Sequence, residues 1–201
     1  MNNKKWLLAG LAFIALFITS DLVLDYDLCR KKQFIVYNVY NTSLTQVIEG
    51  KNNIIFSSIT PKTNIKGIKS AITNPHIKYR QKSTNIYLHN APENQNEINE
   101  NWDTYNIMGN TFINVNSKKI LLLYNDSLYN SSVDHKLSVD KIVISNAVNI
   151  SGNELLKIFD TNCLIIDSSV PKDKAIKIME QFNKKGIQCH YAGQNAYIDE
   201  I

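Results

Sequence analysis

The stretch DKIVISNAVNISGNELLKIFDTNCLIID, residues 140–167, decides the fold. Asp140 to Ser145 and Asn162 to Asp167 each enclose a short apolar run with a branched core, too short for a helix and suited to a buried strand. Between them Ser151-Gly152-Asn153-Glu154 has the serine-x-x-glutamate spacing of a capping box, and Leu155, Leu156, Ile158 and Phe159 follow at helical spacing. The unit reads as strand, helix, strand. Beyond it Pro171 stands where a first helical turn tolerates proline, and Ala175, Ile178, Met179 and Phe182 form one apolar stripe. Gly186, after Lys184 and Lys185, predicts a left-handed stop. Ile187 to Tyr191 and Ala196 to Ile198 read as two last strands around the turn residues Gly193-Gln194-Asn195. The C-terminal third is therefore β-α-β-α-β-β, and any activity would be built on it.

Upstream, the pattern is of strands first. Phe34 to Tyr40, Leu44 to Ile48 and Asn53 to Phe56, with a turn at Gly50-Lys51-Asn52, predict an antiparallel meander. Thr63 to Ala71 predicts a short helix carrying Ile65, Ile68 and Ile72, weakened by Gly67. Asn85 to Leu88 predicts another strand, and Asn90 to Asn101 a solvated loop. Thr111 to Val115 and Lys119 to Tyr124 predict a hairpin turning at Asn116-Ser117-Lys118. No composition break divides this region, so residues 33–201 are expected to be one domain.

Residues 1–28 differ. After the polar, basic Met1 to Lys5, Trp6 to Ile18 is uninterrupted apolar sequence, and continuing to Leu24 approaches the ~20 residues of a bilayer span at the cost of Asp21. The expectation is one uncleaved N-terminal transmembrane helix. A cleaved signal peptide and a buried core helix are the alternatives; Ile18-Thr19-Ser20 makes a poor cleavage site. Lys4 and Lys5 favour a cytoplasmic N-terminus, while Arg30, Lys31 and Lys32 pull the other way, so charge leaves the orientation open.

A net charge of +4 does not by itself call for nucleic acid, but it is unevenly spread. Gly50 to Pro92 holds no Asp or Glu, yet carries Lys51, Lys62, Lys66, Lys69, Lys78, Arg80 and Lys82. Tyr79 and His76 interleave with these cations. Lys62, Lys66, Lys69, Lys78, Tyr79, Arg80 and Lys82 are the candidate contacts for a DNA backbone or for lipid head groups, set against the plainer reading of a solvated basic face. The cysteines Cys29, Cys163 and Cys189 show no CxxC spacing and read as small apolar residues. There is no G-x-G-x-x-G, Walker loop, G-x-S-x-G or H-E-x-x-H motif, and no cofactor is indicated. Asp134 and His135 beside Ser131 and Ser132 are sequence neighbours, whereas triad members normally meet from separate elements.

The phrases KKQFIVYNVYNTSLTQVIEGKNNIIF (31–56), KKILLLYNDSLYN (118–130), residues 140–167 and KKGIQCHYAGQNAYI (184–198), in that order behind an anchor, resemble the C-terminal region of ComEC-type competence proteins as found in Bacteroidetes. The resemblance implies a metallo-β-lactamase-like αββα sandwich with mixed sheets, an α/β fold preceded by one transmembrane helix. It also implies an inner-membrane location, a periplasmic soluble domain and a role in DNA uptake beside a polytopic channel protein encoded nearby. The channel helices of that family are absent from this sequence, which would make the chain a fragment, a split gene or a stand-alone relative.

Relatives with hydrolase activity hold two metals through an H-x-H-x-D-H cluster and further His and Asp residues at strand ends, where metals activate water and stabilise an oxyanion. Here no two of His76, His89, His135 and His190 lie within four residues of each other, so a paired ligand motif cannot be written. Where relatives carry a G-H-H-G-S-like run this chain has Ile144-Ser145-Asn146-Ala147-Val148, and the middle strand offers Asp126 alone. The expectation is a non-enzymatic, membrane-anchored accessory domain that binds DNA or the channel protein. One alternative is a metal-dependent hydrolase or nuclease using Asp126, Asp167 and His190. Another is a membrane-anchored scaffold unrelated to DNA. Lone histidines read as surface or hydrogen-bonded residues, with His76 and His89 the interface candidates.

Overall fold

The computed structural model describes residues 2–58, 65–81, 83–88, 103–130, 135–149 and 151–201. In chain order these form α1 (Asn2–Arg30), β1 (Lys32–Val36), β2 (Leu44–Glu49), β3 (Asn52–Ser57), α2 (Ile65–Lys78), β4 (Ser83–Leu88), β5 (Asp103–Ile107), β6 (Asn110–Val115) and β7 (Lys118–Leu123). There follow a 3-10 turn at Ser127–Asn130, β8 (Leu137–Ser138), β9 (Lys141–Ile144), α3 (Gly152–Ile158), β10 (Phe159–Asp160), β11 (Cys163–Ile166), α4 (Lys172–Asn183), β12 (Gln188–Tyr191) and β13 (Tyr197–Glu200).

One sheet runs β13-β1-β2-β3-β4 and the other β12-β11-β9-β7-β6-β5. The first is antiparallel except where α2 carries the chain over to the parallel pair β3 and β4. In the second, β7, β9, β11 and β12 are parallel, and β6 and β5 extend it antiparallel. Alternation along the strands sorts side chains into three apolar layers. Phe34, Val36, Val47, Ile54 and Phe56 meet Ile113, Ile120, Leu122, Val143 and Ile165 between the sheets. On the outer face of the larger sheet, Leu121, Ile142, Ile144 and Leu164 pack on Leu155 and Ile158 of α3 and Ala175, Ile178 and Phe182 of α4. On the outer face of the smaller one, Ile35, Leu44, Ile48 and Ile55 pack beneath Ile68, Ala71 and Ile72 of α2. The result is helix, sheet, sheet, helix, the αββα sandwich with mixed sheets. Strands covered on both faces must be apolar throughout, which is why the β9 and β11 runs lack alternation.

Several expectations are met in detail. Glu154 N–H donates to Ser151 Oγ at 3.3 Å and Ser151 N–H to Glu154 Oε2 at 3.3 Å, the two halves of the capping box. Gly186 has φ +77°. The β6–β7 hairpin turns on Asn116 and Ser117, both at positive φ, the geometry that matches strand twist.

Other elements differ from expectation. Phe159 lies past the end of α3, in extended conformation at φ −116°, and opens β10 beside β8, where its 1% exposed ring enters the core. The second helix continues past Ala71 to Lys78 through Pro75. Proline forgoes one backbone bond there, and the packing of Ile68, Ala71 and Ile72 on the sheet holds the helix across it. Strand β5 has no counterpart in the sequence reading, because four of its five residues are exposed and it shows no apolar face. The last two strands part company: β12 stays on the larger sheet while β13 crosses to pair with β1. The expected loop at Asn90 to Asn101 lies outside the described residues.

Helix α1 is long and apolar enough over Lys4–Arg30 to cross a membrane, and none of its most apolar window is buried. Only Lys31 separates it from β1. Gly50, at φ +60°, donates its N–H to Lys31 O at 2.7 Å, and a Cβ there would stand 2.8 Å from Cys29 O. The glycine is what lets the β2–β3 turn close against the end of α1.

Candidate functional site

Because β7, β9, β11 and β12 are parallel, their C-terminal ends emerge at one edge of the sandwich, the place where open sheets of this kind present ligand-binding groups. The segment from Tyr37 to Ser43, between β1 and β2, is tied to that edge by Ser168. Val39 N–H donates to Ser168 Oγ at 3.0 Å, and the hydroxyl faces the carbonyls of Val39, Thr42 and Tyr37 at 2.8, 2.9 and 3.1 Å. Having one proton, it donates to one of the three at a time.

Beside it Asp167 is 0% exposed. Its Oδ1 accepts from the backbone N–H of Ser169 at 2.9 Å and from the Ser169 hydroxyl, while Oδ2 has no hydrogen-bond partner. Burial pushes this carboxyl up to about 6, against the opposing pull of the Ser169 hydrogen bonds. The buried Tyr124 phenol is likewise raised, first by burial and then by the Asp167 charge. Three other described groups of the edge, Asp126, Asn110 and Lys174, are engaged in local structure. Asp126 Oδ1 accepts from Asn149 N–H at 2.8 Å, and Asn110 Oδ1 accepts from Tyr124 N–H at 2.8 Å. Lys174 Nζ donates to the carbonyls of Asn146 and Val148, each at 2.9 Å.

The described residues of this edge do not make a donor set for a two-metal centre. Asp126 holds a backbone amide, Asp167 is sealed from solvent, and Lys174 is a cation held by two backbone carbonyls. His190 sits on β12 with Nε2 2.8 Å from Asn195 O and its ring edge-on to Tyr197 at 5.2 Å. Among the described residues, no three His, Cys, Asp or Glu side chains gather as a metal ion requires. At the opposite edge a polar cleft of about 600 Å³ has its charges paired internally, Lys141 with Asp199 at 2.7 Å and Lys118 with Asp140 at 3.5 Å.

The basic segment is divided by the fold. Lys66 and Lys69 are exposed on α2, and Lys78 is exposed at its end with Nζ 5.3 Å from the Tyr79 ring centroid. Tyr79 corrects the expectation of an exposed aromatic face. It is 4% exposed, packs with Ile35 and Ile48 under α2, and donates its hydroxyl to Gln33 Oε1 at 2.6 Å. Burying a large ring there gains more than leaving it in water for a ligand to stack on. Arg80, at φ +47°, turns to α1, where Nη1 meets Asp21 Oδ1 at 2.8 Å and Asp25 Oδ1 at 3.0 Å. Lys51 reaches Asp25 Oδ2 at 2.6 Å. Lys62, Lys82 and His89 lie outside the described residues, and His135 is exposed. The i, i+4 spacing of Asp21 and Asp25 was a readable sign of a shared helix face. That a cation from the turn after α2 would meet both was not.

A solved structure from Thermotoga maritima, described as a zinc-dependent hydrolase of the metallo-β-lactamase superfamily, is 10% identical, covers 76% of this chain and 85% of its own, and gives a TM-score of 0.34. No curated protein gives a significant match. The model of the ComEC C-terminal domain matches residues 34–199, nearly everything after α1. The chain therefore belongs to the ComEC C-terminal domain family.

Proposed function

We propose that this chain serves competence DNA uptake as a membrane-anchored, non-catalytic domain that binds DNA or the channel protein. Membership of the ComEC C-terminal domain family suggests the uptake role. The observation that carries the non-catalytic reading is positive: at the strand-end edge Ser168, Asp126, Asn110 and Lys174 hold backbone groups of the fold, so their chemistry is already committed to structure. The anchor is α1, which extends outward with apolar side chains uncovered, and the soluble domain lies on the periplasmic side in this reading. Of the described basic residues, Lys66 and Lys69 stand exposed on α2, whereas Lys51 and Arg80 are held by α1. A DNA strand would therefore be gripped through Lys66 and Lys69 first, by phosphate contacts that weaken steeply with salt.

The test is fluorescence anisotropy of labelled single-stranded and duplex DNA against the detergent-solubilised chain over a salt series. Lys66→Glu with Lys69→Glu lowers the affinity and flattens the salt slope by about 2 if both contact phosphates. Binding that is missing at every salt concentration removes DNA as the ligand and leaves the channel protein, and binding unaltered by the two substitutions removes Lys66 and Lys69 as the grip. Stoichiometric zinc or manganese in purified protein, with chelator-sensitive nuclease activity, overturns the non-catalytic reading altogether.

A further inference from the structure

We infer that the end of α2 and the turn that follows it, carrying Ile77, Lys78 and Arg80, together with the Lys51 turn, form a footing that rests in the head-group layer of an anionic membrane. The inference depends on the reading of α1 as a span, and it adds which face of the domain lies on the lipid.

The depth of that face follows from α1. Trp6 and Tyr26 are 77% and 56% exposed. Their twenty-residue separation corresponds to ~30 Å of helix, the thickness of a bilayer's hydrocarbon core. Trp and Tyr favour the two interfaces, so Tyr26 marks the outer one. Asp25 is its neighbour and Asp21 lies one turn deeper. Carboxylates at that depth need partners, and those partners are Arg80 and Lys51. The same ion pairs therefore fix Arg80 and Lys51 at the level of the interface.

The turn that carries Arg80 is oriented from within. Tyr79 is drawn inward to Gln33, and Arg80 N–H donates to Ile77 O at 3.3 Å. With Tyr79 held in the core, its neighbours face out: Ile77 is 70% exposed, and Lys78 and Arg80 are exposed too. An aliphatic side chain flanked by cations, at the depth of an interface, has the chemistry of a group that inserts among acyl chains while lysine meets phosphate. Asp21 and Asp25 neutralise Arg80 and Lys51, which leaves Lys78, among the described residues of this turn, as a cation for an anionic lipid.

The experiment uses the full chain, with Cys29→Ser, in vesicles of phosphatidylethanolamine and phosphatidylglycerol. A bimane label is placed at Ile77→Cys or, for comparison, at Tyr40→Cys, a residue 81% exposed in the β1–β2 segment at the strand-end edge. The chain without an added cysteine is the blank. Lipids carrying a nitroxide at the head group are expected to quench the label at 77 several-fold more than the label at 40, and adding Lys78→Glu reduces the difference. Equal quenching at the two positions overturns the footing, as does a label at 77 that only DNA protects. Flotation of the vesicles after an alkaline wash separates the two readings. A chain that does not float removes the anchor and the footing together, while one that floats with position 77 unquenched removes the footing alone.

Discussion

The strand-end edge and the face shared by α1 and α2 use polar groups in opposite ways. At the edge, Ser168, Asp167 and Asn110 turn inward and bond to the backbone beside them, so the groups are buried and the surface they would have offered is closed. On the α1–α2 face, Arg80, Lys51, Asp21 and Asp25 pair side chain to side chain across elements and stay half-exposed. The difference shows where each kind of group can carry function. A buried hydroxyl contributes to folding, and a half-exposed ion pair contributes mostly to placement.

Substitutions at the two places should separate these roles. The largest effect is expected at the edge: Ser168→Ala leaves the buried Val39 amide without its acceptor and should cost about 2 kcal/mol in urea unfolding of the solubilised chain, read by near-ultraviolet circular dichroism. A variant of wild-type stability would mean that the edge is less committed to the fold than its bonds suggest.

Asp167→Asn tests the same edge by its pH dependence. The folded carboxyl is raised to about 6, above its unfolded value. The native state therefore binds the extra proton between those values, and its contribution to stability, full at low pH, is lost as pH rises through about 6. Relative to wild type, the variant should gain about 3 kcal/mol at pH 7.5 and nothing near pH 3. A stability difference that is flat across this range would show that Asp167 does not titrate from a sealed site.

The smallest stability effect belongs to the other face. Arg80→Gln should leave the urea midpoint unchanged in detergent, since exposed pairs contribute little there. The same change in vesicles should nonetheless alter the quenching of a label at position 77. A large loss of stability in detergent would mean that the ion pairs hold the fold as the edge does, and the contrast between the two regions would fail.

Legibility in the sequence followed the same division. Branched runs announced β9 and β11, the Ser151 and Glu154 spacing announced the start of α3, and Gly186 announced the end of α4, because each is a local rule with a local signature. The sheet that β13 would join was not legible, since pairing with β1 is a long-range choice that a four-residue strand does not encode. Nor was β5, whose exposed residues give no period. At the candidate site the scattering of the histidines could be read, but the four-way role of Ser168 could not: a serine after a strand has no pattern that names its partners. The basic segment was visible as charge alone, and its division into residues facing α1 and residues facing water came only with coordinates.

The join between α1 and β1 has a mechanical consequence. A lone Lys31, clamped by the Gly50 amide, gives no slack, so an anchored domain of this kind cannot swing on a leash. It would drift and spin with its helix as one piece, and its search for a neighbour would run in two dimensions at constant height. A partner that is to be met must present its own surface at that height.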